Sequence, residues 1–83
     1  MSEKLHFSLV SPERELYAGE VDHVICPGTD GEFGVLPLHA PFMSTLKTGV
    51  VRVLIGDTVE RIFVRGGFAD VTPDGLTVLA EEA

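Results

Sequence analysis

Apolar and polar residues alternate with a period of two along nearly the whole chain. Leu5, Phe7 and Leu9 fall on one face of an extended segment and Lys4, His6 and Ser8 on the other, the signature of a half-buried strand. Ser11-Pro12-Glu13 forms the first turn. Glu15 to Tyr17 reads as a short strand ending near Gly19. Val21, His23 and Ile25 then alternate with Asp22, Val24 and Cys26 as far as Pro27, which lacks the N–H a central ladder requires and so predicts the strand's end. Phe42 to Leu46 is a further strand, stopped by Lys47-Thr48-Gly49. Val50 to Ile55 and Thr58 to Val64 are rich in β-branched residues, and Gly56-Asp57 between them suits a tight hairpin. Phe68 to Val71 and Leu76 to Ala80 flank Thr72-Pro73-Asp74-Gly75, where proline presets φ and glycine supplies a positive one. No segment sustains a helical period. Short strands at regular spacing predict an all-β fold, a flattened two-sheet β-sandwich or barrel in a single domain spanning residues 1–83.

The segment between Pro27 and Pro41 departs from this pattern. Gly28, Gly31 and Gly34 punctuate it at every third position, Asp30 and Glu32 lie between them, and an apolar ledge of Val35, Leu36 and Leu38 leads into His39-Ala40-Pro41. Glycine admits backbone angles closed to other residues and proline restricts φ, so the expectation is a shaped acidic loop beside an apolar ledge. A symmetric Gly56-Asp57 hairpin carries a second expectation. It places Arg52 directly opposite Arg61, a like-charge pair that destabilises a ladder unless a carboxylate offsets it. Glu60 falls on the opposite face, so that acid must come from another strand or from a partner.

Composition narrows the function. With 83 residues, 45% hydrophobic and 23% charged, the chain has room for one core and little space for a deep catalytic cleft beside it. Its 6 basic and 13 acidic residues leave a net charge of −7, which opposes nucleic acids and anionic lipid surfaces. Cys26 is the single cysteine, so no internal disulfide forms, and a reducing compartment is expected. The opening MSEKLHFSLVS lacks the continuous apolar run of a signal peptide, and no stretch approaches the roughly 18 apolar residues of a membrane span. Membrane association is therefore expected only through a partner.

Candidate chemistry weakens on inspection. The glycines of 28–34 carry two carboxylates and no lysine, which repels phosphate. Asp30 and Glu32 fall short of the ligand number and spacing of a calcium loop. His6, His23, His39 and Cys26 have no metal-ligand spacing, and Cys26 before Pro27 reads as a small buried filler. No nucleophile elbow accompanies the Ser, His and Asp residues. No catalytic, cofactor-binding or metal residues are expected, and protein recognition through the 27–41 segment outranks them.

As an ordered set, Pro27-Gly28, Gly31-Glu32-Phe33-Gly34-Val35-Leu36-Pro37, His39-Ala40-Pro41 and Leu46-Lys47 followed by Gly49 resembles the epsilon subunit of F-type ATP synthases, the counterpart of the mitochondrial delta subunit. Val64-Arg65-Gly66-Gly67-Phe68-Ala69 and Val78-Leu79-Ala80-Glu81 continue the likeness. The resemblance implies a non-catalytic rotor subunit at the foot of the central stalk. It would dock on the gamma subunit and the membrane c-ring to couple ion-driven rotation to ATP synthesis. The complex would sit on the cytoplasmic face of a bacterial inner membrane, and no homo-oligomer is expected. Carried onto this chain, it places Gly28, Asp30, Gly31 and Glu32 toward the c-ring and Ser11, His39 and Ser44 toward gamma. The family continues into a helical hairpin that restrains ATP hydrolysis in bacteria and in some members binds ATP. The sequence here ends at Glu81-Glu82-Ala83, so neither property is carried over and the hairpin is expected to be absent. The alternative is a free-standing β-sandwich adaptor that binds another protein through the 27–41 segment.

Overall fold

A computed structural model describes residues 4–37 and 40–82. Nine strands follow in order: β1 (Leu5–Val10), β2 (Glu15–Val21), β3 (His23–Gly28), β4 (Gly31–Val35), β5 (Phe42–Leu46), β6 (Gly49–Ile55), β7 (Thr58–Val64), β8 (Gly67–Thr72) and β9 (Gly75–Ala80). They pair in the order β2-β1-β9-β8-β5-β3-β6-β7, with β4 on β3. The β5–β3 link is a single pair, Gly28 with Leu46, so the path folds there into two layers, β2-β1-β9-β8-β5 and β4-β3-β6-β7. The pairing is antiparallel throughout except between β1 and β9, which run parallel from Phe7 opposite Leu76 to Val10 opposite Leu79. This is the expected two-sheet β-sandwich.

The inward residues of both layers make one core. Phe7, Leu9, Val21, Val24, Cys26, Val35, Val51, Val53, Val64, Leu76 and Val78 are fully buried, and no polar or charged residue is buried among those described. Phe7 and Tyr17 pack with ring centroids 5.5 Å apart, and Phe33 meets Phe42 edge-on at the same separation. Burying such side chains contributes about 1.5–3 kcal/mol each, against the entropy lost in ordering the chain.

Three local expectations are corrected. β2 continues through Gly19 to Val21 instead of stopping, because β1 pairs with it along its whole length, Phe7 opposite Gly19. A bend at Asp22 then resets the alternation. Val21 and Val24 both face the core while His23 and Ile25 face outward. Pro27 does not end β3. Its missing N–H removes one donor, but its carbonyl accepts from the Lys47 N–H at 2.9 Å and the strand runs on to Gly28. The acidic stretch beyond is a β3–β4 hairpin, its turn reduced to Thr29-Asp30, with Gly28 opposite Gly31.

The register sorts the connections to two ends of the sandwich. Segments 11–14, 29–30, 47–48 and 65–66, together with residues 81–82, gather at one end. Lys4, Asp22, the 56–57 and 73–74 turns and residues 36–37 and 40–41 belong to the other. That second end is tied by Asp22, which pairs with Lys4 and accepts the Gly56 N–H at 2.6 Å. The Gly56 hydrogen bond first, and the Lys4 contact second, hold the Asp22 carboxyl below its ordinary value of 3.8.

Candidate docking surfaces

The outer face of β1-β9-β8-β5 carries an apolar strip. Across it Thr45 stands opposite Phe68, Phe68 opposite Leu79, and Leu79 opposite Val10, so four strands contribute one row. Met43, two residues along β5 from Thr45, extends the strip and is 63% exposed. Phe68 and Leu79 are also exposed, and a hollow of about 380 Å³ opens beside them, bounded by Val10, Ser11, Thr45, Gly67, Ala80 and Glu81. Sheets with one solvated face normally place polar residues outward, so side chains of this size clustered there mark a surface prepared for contact.

The floor of that hollow depends on glycine. Gly67 has φ +126°, and a Cβ there would run into the Leu79 carbonyl and lie 2.9 Å from the Ala80 Cα. The close approach lets the chain beyond β9 be clasped. Arg65 N–H donates to the Glu82 carbonyl at 2.8 Å, Glu81 N–H to Gly66 at 3.3 Å, and the Arg65 guanidinium reaches the Glu82 carboxylate at 3.3 Å.

The Thr29-Asp30 turn lies at the same end of the molecule. Thr29 N–H donates to the Thr45 carbonyl at 3.1 Å and the two threonine hydroxyls meet at 2.9 Å, fixing the turn to β5 at the border of the strip. Asp30, Gly31 and Glu32 are exposed. Gly31 holds φ +132° with open space where a side chain would stand. Gly28 is buried; a Cβ on it would lie 2.6 Å from the Gly31 carbonyl, so it shapes the turn and presents no surface.

Glu32 has a partner within the chain. Its carboxylate receives the Arg52 guanidinium at 2.8 Å across β3. The hairpin register sets Arg52 opposite Arg61 as expected, and the offsetting acid comes from another strand, β4. Residue pairing by periodicity could not find this contact, because it depends on β4 being a strand.

Of the three residues assigned toward gamma, Ser11 borders the hollow, its N–H donating to the Arg14 carbonyl at 2.9 Å. Ser44 sits on β5 between Met43 and Thr45, half-buried on the core-directed side, and edges the smaller hollow beneath Met43 and Phe68. His39 lies outside the described residues. The sequence did not single out Val10, Met43, Phe68 and Leu79. Each looks like an ordinary strand residue, and only the pairing of four strands collects them.

Burial pushes the Cys26 thiol up to about 12, which leaves it protonated and inert. Among the described residues no group of three His, Cys, Asp or Glu side chains comes together to hold a metal. Among the described residues no helix is long and apolar enough to cross a membrane.

These features define a class: a small β-sandwich whose distinctive chemistry lies on its outer faces and turns. The chain belongs to the family described as "ATP synthase, Delta/Epsilon chain, beta-sandwich domain", whose sequence model matches residues 4–83. Among its relatives, the ATP synthase epsilon chain of Hyphomonas neptunium is 76% identical over 84 residues, with all of this chain aligned to 62% of that protein. The epsilon chain of Maricaulis maris is 59% identical, again over 62% of its length, so the chain spans under two thirds of these relatives. The epsilon chain of Caulobacter vibrioides is 62% identical, with 96% of this chain aligned to 93% of that one. A chain in the Euglena gracilis mitochondrial ATP synthase structure (OSCP/F1/c-ring) superposes with a TM-score of 0.88 at 23% identity. The match covers 95% of this chain and 51% of that one and establishes likeness of fold.

Proposed function

We propose that the chain is a non-catalytic element of the central stalk of an F-type ATP synthase, docked on the gamma subunit and on the c-ring. It is held at the cytoplasmic face of the bacterial inner membrane through the complex alone. The observation that carries this reading is the apolar strip of Met43, Phe68, Leu79 and Val10, bordered by the Thr29-Asp30 turn of the acidic β3–β4 hairpin on a chain of this family. The strip offers the dry contact that a permanent neighbour such as gamma needs. The turn offers carboxylates to the polar loops of a ring. Because Thr29 is hydrogen-bonded to Thr45 in the strip, the two contacts are joined by a few ångströms of backbone with no hinge between them.

Rotation passes through such an element only if it is stiffer than its contacts. Paired strands joined by two-residue turns at 29–30, 47–48, 56–57, 65–66 and 73–74 leave little there that opens locally. Two modest contacts on one rotor also reinforce each other, since the first raises the effective concentration for the second.

The test uses F1 stripped of this subunit and, separately, isolated c-ring. Phe68→Glu drives a charge into the strip, and the expected result is a loss of gamma binding of about tenfold or more with the fold intact. Glu32→Lys is expected to weaken attachment to the ring and leave gamma binding unchanged. Wild-type protein that folds but binds neither F1 nor ring refutes the assignment and leaves the free-standing adaptor. Gamma binding that falls with Glu32→Lys and survives Phe68→Glu reverses the two faces.

A further inference from the structure

On the layer opposite the apolar strip, the outer side of β6–β7 holds a feature that folding alone does not explain. Arg52 and Arg61 stand directly opposite each other, where like charges destabilise a ladder. Arg52 is relieved by Glu32. Arg61 is exposed and, like Arg14 and Lys47, has no carboxylate partner among the described residues, but of these three it alone faces another arginine across a ladder. Its chain neighbour Glu60 points to the other side, where its charge raises the Tyr17 hydroxyl, after burial the second cause of that shift. An acid at position 61 would stand opposite Arg52 in place of a like charge and add to the offset that Glu32 supplies, stabilising the hairpin. A residue that opposes the local fold on an outer face is where a functional demand is expected.

The surroundings indicate the kind of demand. Along β7, Arg61 lies between Val59 and Phe63 on the same face. Phe63 stands opposite Val50, and all three apolar side chains are substantially exposed, Phe63 at 53%. β7 pairs only with β6, so its other edge is open. A second copy does not suit this edge, because the symmetric antiparallel pairing centred on Arg61 would set Arg61 against itself beside both Arg52 side chains. On a chain of net charge −7, an acidic segment is repelled by most of the surface and accepted here.

We infer that the Arg61–Phe63–Val59 edge of β7 is a third docking surface, for an extended segment of a neighbouring subunit that presents a carboxylate flanked by apolar side chains. The segment's carboxylate meets the Arg61 guanidinium, and its apolar residues cover Phe63 and Val59. Glu32 already offsets Arg52 in the free chain, and the segment's carboxylate supplies Arg61 with the partner it lacks. The inference rests on membership of the rotor complex proposed above.

Arg61→Glu tests it, because the two effects move in opposite directions. Melting of the full-length free chain and retention on the synthase complex stripped of its own copy, in low and in high salt, are measured side by side. The expected result is a higher melting temperature together with binding about tenfold weaker or more, the difference from wild type shrinking in high salt. Arg61→Lys is expected to bind close to wild type, and Phe63→Ser to weaken binding without altering its salt dependence. Retention of Arg61→Glu equal to wild type overturns the inference, as does a variant that loses stability and binding together. Wild-type chain that fails to bind the stripped complex refutes the proposed function instead, so the two failures are distinguishable.

Discussion

Replacing Gly67 with alanine should be, with Gly75, among the costliest single methyl groups that could be added to this chain. Two terms contribute. At φ +126° an L-residue is strained by about 1–3 kcal/mol wherever it stands. The new Cβ would also press on the Leu79 carbonyl and the Ala80 Cα, backbone of the neighbouring strand that cannot rotate away, adding roughly 1–3 kcal/mol of overpacking. The sum, about 2–6 kcal/mol, is a large share of the roughly 4–12 kcal/mol expected for a domain of this size. Gly31 supplies the control. Its φ of +132° is nearly the same, but nothing lies within 4 Å of the position its Cβ would take, so Gly31→Ala should cost only the backbone term. Urea unfolding of both variants with matched m-values measures the difference. Equal losses would refute the reasoning, since they would mean β8 and β9 separate freely and the floor of the hollow is soft. The result also bears on docking, because Gly67 lines the hollow where the apolar strip ends.

The remaining predictions concern titration, reactivity and the turn. Asp22 has a depressed folded-state pKa, so its contribution is fully present above the unfolded value of 3.8 and is lost as pH falls through the lower folded value. Acid unfolding of wild type should therefore be steeper below pH 3.8 than that of Asp22→Asn, and identical slopes would remove the Gly56 and Lys4 contacts as its cause. Cys26, at about 12, should resist iodoacetamide in the native chain at neutral pH and react on addition of denaturant; rapid native labelling would show that the core opens far more readily than its packing implies. Arg52→Gln should lower the melting temperature by leaving Glu32 without its partner, but only slightly, because exposed ion pairs contribute about 0–1 kcal/mol. A large drop would mean the pair governs the hairpin and not merely its surface charge.

The strands were legible wherever period two ran between plain turn signals. β1, β5, β7 and β9 lie within a residue of their expected limits, and the Gly56-Asp57 hairpin has the expected register, Arg52 opposite Arg61 included. Legibility failed where a single residue's habit was overruled by its neighbours. Pro27 reads as a stop, yet a strand survives the loss of one donor when its carbonyl still has a partner. The glycines of 28–34 read as a loop, and only two of that stretch's residues form the turn. The candidate surfaces divide in the same way. The acidic turn is local and shows itself as a string of residues. The apolar strip is drawn from β1, β5, β8 and β9, and nothing local marks its members as neighbours.

The parallel pairing of β1 with β9 has a consequence for how the molecule comes into being. The last strand of the sandwich is wedged between the first strand and β8, so a growing polypeptide has a gap at the middle of one sheet until residue 80 is free to fill it. Neither the strip nor its hollow exists before then, because Leu79 and Ala80 complete both. Completion of the strip thus coincides with closure of the core, a non-local event that waits on the last strand.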